Sequence, residues 1–126
     1  MKPTILPALL ALAALAGCGS SNTPNSPAPP APPPPGSPTV QLLTSGGNRF
    51  SPVVLTVAAG TTVRFDWVGG FHSVTSAGSP SFTSSGAPVL PPKTYDVTFN
   101  TPGSYNYFCT VHGTATTGMR GTVVVQ

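Results

Sequence analysis

From residue 39 onward, the chain alternates apolar and polar side chains in short runs that are bounded by turn-forming residues. The alternation is clearest in residues 62–67 and 94–99. Because successive side chains of a β-strand point to opposite faces, a period of two predicts strands that bury one face, and no segment shows the 3.6-residue period of an amphipathic helix. Further candidate strands, rich in Val, Thr, Phe and Tyr, are Val40–Thr44, Val53–Val57, Ser73–Ser76, Tyr105–Cys109 and Thr122–Val125.

Turn signals separate these candidate strands. They are Gly46-Gly47, Ala59-Gly60, Gly69-Gly70, Pro91-Pro92 and Pro102-Gly103. Seven to eight short strands within residues 39–126 predict an all-β domain, an antiparallel Greek-key β-sandwich. In the strand that ends at Cys109, the same period places Tyr105, Tyr107 and Cys109 on the inner face and Phe108 on the outer face.

The segment before residue 18 has the composition of an export signal. Met1 and Lys2 give it a cationic start, and residues 5–16 are almost wholly apolar. About a dozen apolar residues are too few to span a bilayer, which takes roughly 20, so we expect residues 1–17 to be removed as a signal peptide. Residues 15–18, Leu-Ala-Gly-Cys, resemble the lipobox of bacterial lipoproteins, which implies that Cys18 is lipidated. The alternative is an ordinary secretory signal in which Cys18 has no role.

We therefore expect an exported protein that lipid holds on a membrane, in the periplasm or on the outer face of the cell envelope. Residues 18–38 form the predicted linker, because residues 19–38 include nine prolines and lack the large apolar side chains that a core needs. Such a chain is extended and semi-rigid, with an upper reach of about 60 Å. The linker would lift a domain formed by residues 39–126 off the membrane.

Charge excludes one class of partner. Five basic and two acidic residues give the chain a net charge of +3, and they are scattered along the sequence. A nucleic-acid surface needs grouped Lys and Arg side chains to neutralise phosphates. We therefore expect no nucleic-acid partner.

The most specific chemistry lies near the C-terminus. Cys109 ends a predicted strand, His112 and Met119 lie in the predicted loop that follows, and His72 lies thirty-seven residues before Cys109. With the signal peptide removed and the first cysteine lipidated, Cys109 is the one thiol left and Met119 the one methionine. Two imidazoles and a thiolate in a trigonal arrangement, with a weak axial thioether, are the ligand set of a blue-copper electron-transfer site. The sequence therefore predicts that these four residues bind one type 1 copper ion.

Other functions would use some of the same residues. A protein that stores, delivers or senses copper would share the ligands but would need rapid metal exchange. An enzyme with Cys109 as nucleophile and His112 as base would need a group that orients the histidine, and no Asp, Glu or Asn follows nearby. Structural zinc prefers four strong ligands, and a thioether is a poor one. A sandwich that serves only adhesion is the alternative without metal.

With these residues in view, the chain resembles the cupredoxins, in particular the plastocyanin-like small blue copper proteins, from about Phe50 to Val125. The motifs that carry the resemblance are Phe50-Ser51-Pro52, residues 57–63, His72-Ser73-Val74 and residues 102–109. The resemblance implies that His72, Cys109 and His112 are equatorial copper ligands and that Met119 is the axial ligand. It implies an electron carrier and not an enzyme.

Two features differ from the best-known members of that family. Six residues separate His112 from Met119, which is a longer spacing than in plastocyanins and amicyanins, and Ser73 stands where many members carry an asparagine. The resemblance further implies an apolar surface through which electrons pass to transiently bound redox proteins. Candidates for this surface are Gly70, Phe71, Phe108, Val111 and Ala115. The alternative for Phe71 is that it packs beneath the loop. We expect the chain to be a monomer.

Overall fold

The computed structural model describes residues 36–126. The predicted signal peptide of residues 1–17, the predicted lipidation site Cys18 and the predicted linker as far as Pro35 lie outside the described residues. In the described range, no helix has the length and apolar character needed to cross a membrane.

Eight strands build the domain, and residues 36–126 contain no helix. The strands are β1 (Thr39–Leu43), β2 (Arg49–Ser51), β3 (Val54–Val57), β4 (Thr61–Trp67), β5 (Thr75–Ala77), β6 (Lys93–Phe99), β7 (Gly103–Gly113) and β8 (Gly118–Val125). They form a first sheet in the order β2-β1-β4-β6 and a second sheet in the order β3-β8-β7-β5. The predicted all-β sandwich is confirmed.

Two strand pairs are parallel, so the prediction of a purely antiparallel sandwich was wrong in this respect. β1 runs parallel to β4 and β3 runs parallel to β8, while the other four pairs are antiparallel. Parallel neighbours need a crossover between them. Between β1 and β4 the chain passes through β3, which belongs to the second sheet, and then returns to the first sheet in the original direction. Alternation in the sequence shows which face of a strand is buried, but it does not show the direction of the neighbouring strand.

The buried faces of the strands follow the predicted period. Tyr105, Tyr107 and Cys109 of β7 are 6%, 1% and 0% exposed, while Phe108 between them is only partly buried. β4 shows the same order, since Val63, Phe65 and Trp67 are buried and their neighbours are not. The inward direction of Cys109 is therefore a property of its whole strand.

Aromatic rings fill the core beside the strand that carries Cys109. The ring of Tyr107 packs edge to face against Phe50 and Phe65, with centroid distances of 4.8 and 5.2 Å. Phe82, from the segment between β5 and β6, packs against Phe65 and Phe99 at 6.3 and 5.5 Å. Such ring pairs add to the free energy of area burial and fix the positions of their members. Burial also raises the pKa of the Tyr107 hydroxyl well above its ordinary value.

The chain after Cys109 remains strand as far as Gly113, so the prediction that the whole segment from Thr110 to Met119 is a loop was wrong. β7 extends to Gly113, β8 begins at Gly118, and these two glycines are register partners. The register shifts between Phe108 and Gly113, which is an irregularity of the kind that re-aims side chains. Most of the long spacing before Met119 is thus absorbed by a β-hairpin.

The two glycines at the closed end of this hairpin leave no room for a side chain. A Cβ on Gly113 would lie 2.6 Å from the backbone nitrogen of Met119, and one on Gly118 would lie 2.4 Å from the carbonyl oxygen of His112. Gly118 also has a φ of +74°, a conformation that glycine adopts without strain. The close approach of the two backbones at Gly113 and Gly118 fixes the register of the hairpin, and with it the positions of His112 and Met119 on the two strands.

Candidate metal centre

Three side chains that could bind a metal converge in the described residues. One ligand atom from each of His72, Cys109 and His112 lies within 4.8 Å of the others. The Nδ1 atoms of the two histidines are 3.2 Å apart, and Cys109 Sγ is 3.8 Å from His72 Nδ1 and 3.6 Å from His112 Nδ1. A cysteine sulfur and two imidazole nitrogens therefore face one point, as a trigonal site requires.

The backbone of His72 is fixed from two directions. His72 exchanges two backbone hydrogen bonds with Val89, at 3.1 and 2.9 Å, and its carbonyl oxygen also accepts from Trp67 Nε1–H at 2.9 Å. The residue is wholly buried. His72 therefore reaches the site from a segment that β4 and residue 89 hold in place, and not from a free loop.

The far side of the His72 ring also has a partner. Its Nε2 atom lies 3.4 Å from Thr44 Oγ1, which follows β1, so Nδ1 is the ring nitrogen that faces Cys109 and His112. Gly70 lies against the same contact: a Cβ there would be 2.1 Å from Thr44 Oγ1 and 2.6 Å from His72 Nε2. Partners on the remote nitrogen fix the tautomer and orientation of a metal-binding histidine.

Burial is the main influence on the protonation of His72. It lowers the pKa of the imidazole, and the neighbouring His112 lowers this pKa further, while a hydrogen bond with the backbone of Gly69 acts in the opposite direction. Neutral imidazole is the form that binds a metal ion. The environment of His72 therefore favours the binding-competent form.

Ser73 links the His72 segment to the strand that carries Cys109. The Ser73 backbone N–H points to Cys109 Sγ at 3.5 Å, and Ser73 Oγ accepts a hydrogen bond from the Thr110 backbone N–H at 3.1 Å. Ser73 Oγ is also 3.1 Å from Thr110 Oγ1. One buried hydroxyl thus joins the two segments. The sequence signal for this link was only the place of Ser73 directly after His72, and nothing in the sequence pointed to Thr44.

The remaining predicted site residues differ in exposure. Met119 of β8 is 3% exposed, whereas His112 is partly exposed, and Phe71 and Val111, which precede the two histidines, are 47% and 48% exposed. Phe71 therefore does not pack beneath the loop. Cys109 is a free thiol in the part of the chain that the structure describes, and it is fully buried. Of the other surface candidates, Gly70 and Phe108 are partly buried, and Ala115 is exposed.

The residues present fit one copper ion. Thiolate and thioether are soft ligands that suit Cu(I), and imidazole serves both oxidation states. Zinc fits less well because a structural zinc site needs four strong N, S or O ligands, and the fourth side chain here is a methionine. His72, Cys109, His112 and Met119 form a type 1 copper arrangement. A β-sandwich with this donor set defines the class of small type 1 copper proteins.

Comparison with known proteins agrees with this class. The chain belongs to the plastocyanin/azurin family of copper-binding proteins, because residues 40–126 match the family of that description. It is 32% identical over 84 residues to plastocyanin from Prochlorothrix hollandica, covering 61% of this chain and 63% of the plastocyanin. It is 34% identical over 97 residues to halocyanin from Natronomonas pharaonis, covering 72% of this chain and 58% of the halocyanin. The chain thus spans less than two thirds of each of these two relatives.

Solved structures show the same likeness. A reduced amicyanin variant superposes with a TM-score of 0.59 and 28% sequence identity, covering 74% of this chain and 85% of the amicyanin chain. Fold and sequence therefore point to the same family.

Proposed function

We propose that the protein is a type 1 copper protein that carries single electrons between redox proteins outside the cytoplasm. In this proposal His72, Cys109 and His112 are the equatorial ligands and Met119 is the axial ligand. The observation that carries the proposal is the convergence of His72 Nδ1, His112 Nδ1 and Cys109 Sγ within 4.8 Å. When bound there, copper supplies a one-electron couple between its cupric and cuprous states. No bond to a substrate is needed, so the proposed role is that of a carrier and not an enzyme.

The protein's part in this function is to keep the donor atoms in place. Cys109 lies on a buried strand, and the Ser73 backbone N–H points to its sulfur. His72 is held by Trp67 and Val89 through its backbone. Donors that cannot move much have nearly the same positions in both oxidation states, which lowers the reorganisation that accompanies each electron transfer.

The exposed side of the site indicates where electrons enter and leave. His112 is partly exposed and its ring packs against the buried ring of His72, with centroids 4.9 Å apart. Phe71 and Val111 place exposed apolar side chains next to these histidines in the sequence. Phe108, which precedes Cys109, is the second candidate for the electron-transfer surface. Redox partners that meet such a surface form small and transient interfaces, so we propose a monomer that meets its donor and acceptor in turn.

Voltammetry of the copper-loaded protein tests the proposed electron transfer. The expected result is a reversible one-electron couple, together with slow loss of copper to a mild chelator because His72 and Cys109 are buried. Rapid loss to the chelator without a reversible couple would instead assign the protein to copper storage or delivery.

The proposed location depends on the N-terminal sequence. A cationic start, an apolar run and Leu-Ala-Gly-Cys at residues 15–18 support export and lipidation of Cys18, and the proline-rich segment supports a spacer. Mass spectrometry of the protein from membranes is expected to show a lipid-modified N-terminus at Cys18. Cys18→Ser is expected to abolish the modification and the membrane association. An unmodified mature protein that begins at another residue would contradict lipidation and leave the copper assignment intact.

A further inference from the structure

The charged side chains of residues 36–126 are distributed unevenly along the sandwich. Arg49 and Lys93 are the first residues of β2 and β6, and their register partners are the last residues of β1 and β4, Leu43 and Trp67. Both cations therefore lie at one end of the first sheet. No charged side chain of the described residues occurs at the opposite end, which is formed by residues 36–38, 58–60, 100–102 and 126.

Arg49 lies beside the segment that carries His72. Its guanidinium nitrogen Nη1 donates to the carbonyl oxygens of Ser45 and Gly47, so the side chain is held against the turn between β1 and β2. This turn begins at Thr44, whose hydroxyl contacts the ring of His72. Because the turn uses only Nη1, the N–H groups on the other two nitrogens of the guanidinium can still donate to a partner.

Lys93 lies at the other edge of the same end of the first sheet. Its register partner Trp67 donates a hydrogen bond to the carbonyl oxygen of His72. In the strand order β2-β1-β4-β6, three strand spacings separate Lys93 from Arg49, which is roughly 15 Å. Both side chains are exposed, and neither forms a salt bridge within the part of the chain that the structure describes. The two cations thus stand on either side of the segment that leads to His72.

The acidic residues do not cancel these charges. Asp96 forms an ion pair with Arg64 at 2.9 Å in the middle of the first sheet. The hydrogen bond with Asp96 and the charges of Asp96 and Asp66 raise the pKa of Arg64, so both acids act on this arginine. Arg120, exposed on β8 directly after Met119, adds another cation without a salt bridge in the described range. The copper end therefore has a surplus of positive charge.

Exposed apolar side chains lie at the same end. Val68 follows β4, Phe71 precedes His72, and Leu90 follows Val89, whose backbone pairs with that of His72. These three side chains are 51%, 47% and 64% exposed. Exposed apolar side chains with charged residues at their edge are typical of a protein interaction site.

We propose that this end of the domain docks onto an acidic surface of its redox partner. The docking face consists of Val68, Phe71 and Leu90 with Arg49 and Lys93 at its edges. Attraction between these cations and carboxylates of the partner turns the copper end toward the partner before contact and speeds association. The apolar side chains then pack against the partner close to the ligand segments. The proposal rests on the proposed electron transfer, which requires a partner at this end.

An NMR titration with an acidic peptide tests the face without depending on electron transfer. Hexa-L-glutamate is added to the reduced, copper-loaded protein at about 10 mM ionic strength, where the Debye length is about 30 Å. We expect saturable shifts of the backbone amide signals of Arg49, Phe71 and Lys93, and none at Ala59 or Asn100 of the opposite end. Hexa-L-lysine should shift none of these signals. Equal shifts at the two ends, or equal shifts with the lysine peptide, would overturn the proposal.

Two variants test the assigned cations. Arg49→Gln and Lys93→Gln are each expected to weaken hexaglutamate binding by about threefold at low ionic strength, and the double variant by about tenfold. Arg64→Gln is the matched control, because it removes the same net charge from the middle of the sheet and should weaken binding by less than about twofold. Lys93 forms no side-chain hydrogen bond within residues 36–126 and is exposed, so its variant should fold. Unchanged affinity in Lys93→Gln would contradict the proposal even if Arg49→Gln disturbed its turn.

Stopped-flow oxidation of the reduced protein connects the face with electron transfer. Hexacyanoferrate(III), an anion, and tris(1,10-phenanthroline)cobalt(III), a cation, each take one electron from Cu(I). Added salt should slow the first reaction and speed the second, and the Arg49→Gln/Lys93→Gln double variant should slow the first by about fivefold. Absence of a reversible couple in voltammetry would remove the electron-transfer function and leave the peptide binding in place. A reversible couple without peptide binding or salt dependence would contradict the acidic partner alone.

An anionic membrane is the other surface that offers negative charge. The unlipidated Cys18→Ser protein is therefore mixed with phosphatidylglycerol vesicles and sedimented at the same low ionic strength. We expect it to remain in solution. Sedimentation with the vesicles that is lost in the double variant would assign the face to a membrane and overturn the proposal.

Discussion

The ring of His72 is wholly buried and that of His112 is partly exposed, although their Nδ1 atoms lie only 3.2 Å apart. Two of the contacts of His72, those with Thr44 and Val89, come from residues that are distant in sequence. His112 belongs to the β7–β8 hairpin, whose closed end is shaped by residues within a few positions of it. The comparison indicates a division of roles: the buried histidine fixes the geometry, and the exposed one gives access to partners.

The largest expected effect is a difference between variants of the buried His72 and of the partly exposed His112. His72→Gly and His112→Gly should each abolish the normal copper site, because each removes an equatorial donor. Added imidazole should restore the blue colour in His112→Gly, since the missing ring leaves an opening at the surface. The same imidazole should act far more weakly in His72→Gly, where the gap is enclosed. Copper titrations at increasing imidazole concentration measure this difference, and equal rescue of the two variants would contradict the division of roles.

The next largest effect is expected at Gly70, which lies against the contact between Thr44 and the ring of His72. Gly70→Ala places a methyl group against Thr44 and the His72 ring at a backbone φ of +81°, so both overpacking and backbone strain act on the site. We expect a loss of about 3 kcal/mol in the free energy of unfolding together with weaker copper binding. Gly78→Ala is the matched control, because Gly78 has a φ of +83° and nothing lies within 4 Å of the place that its new methyl group would take. That control should cost only about 1 kcal/mol, from backbone strain alone.

Denaturant unfolding of the two glycine variants gives the required difference in free energy. If Gly70→Ala were no more destabilising than Gly78→Ala, the contact between Thr44 and His72 would not be a tight support of the site.

A smaller effect is expected at the link between the two ligand segments. Ser73→Ala removes the oxygen that accepts from the Thr110 backbone N–H, and the loss of this partly buried hydrogen bond costs about 1 kcal/mol. The copper absorption spectrum should also change. The Ser73 backbone N–H points to Cys109 Sγ, and in the variant the side chain of residue 73 no longer ties this backbone to Thr110. Thr75→Val is the control, since the Thr75 hydroxyl lies 3.4 Å from Ser73 Oγ and is not the donor that would be orphaned. An unaltered spectrum in Ser73→Ala would limit Ser73 to a role in stability.

The smallest effect on the fold is expected at the exposed side of the site. Val111→Asp changes a side chain that is 48% exposed, so the free energy of unfolding should change by no more than about 0.5 kcal/mol. Electron self-exchange between two copies should nevertheless slow by about tenfold, because the new charges repel when two such surfaces meet. NMR line widths of mixed oxidised and reduced protein report this rate. Val54→Asp is the control, because this side chain on β3 is 57% exposed, and it should leave the self-exchange rate nearly unchanged. If Val54→Asp slowed self-exchange as much as Val111→Asp, the surface around Val111 would not be the one through which electrons pass.

The sequence was informative wherever a local pattern controls the structure. The period of two placed Tyr107 and Cys109 in the core, and the order of His72, Cys109 and His112 matched a donor set that the fold brings together. The parallel pairing of β1 with β4 was not predictable, because it depends on the path of the chain through the opposite sheet. Phe82 lies in a segment rich in Ser and Pro, and its place in the core comes from tertiary packing against Phe65 and Phe99.

The contacts that hold the ligand residues in place were the hardest part of the site to predict from the sequence. Thr44 is one of many threonines, and only the closeness of β1 to the residues before His72 gives it a role. The hairpin after Cys109 was predicted as a loop because its glycines and threonines are common turn residues. Their close backbone contacts, which shape the hairpin, depend on atoms of the opposite strand.

Titration of the protein with Cu(II), followed by visible absorption, tests the central claim most directly. One equivalent of copper should produce the intense blue band of thiolate-to-copper charge transfer, and Cys109→Ser should abolish that band because it removes the sulfur. A colourless copper complex of the unaltered protein, or a blue complex that persists in Cys109→Ser, would contradict the assignment of a type 1 copper site.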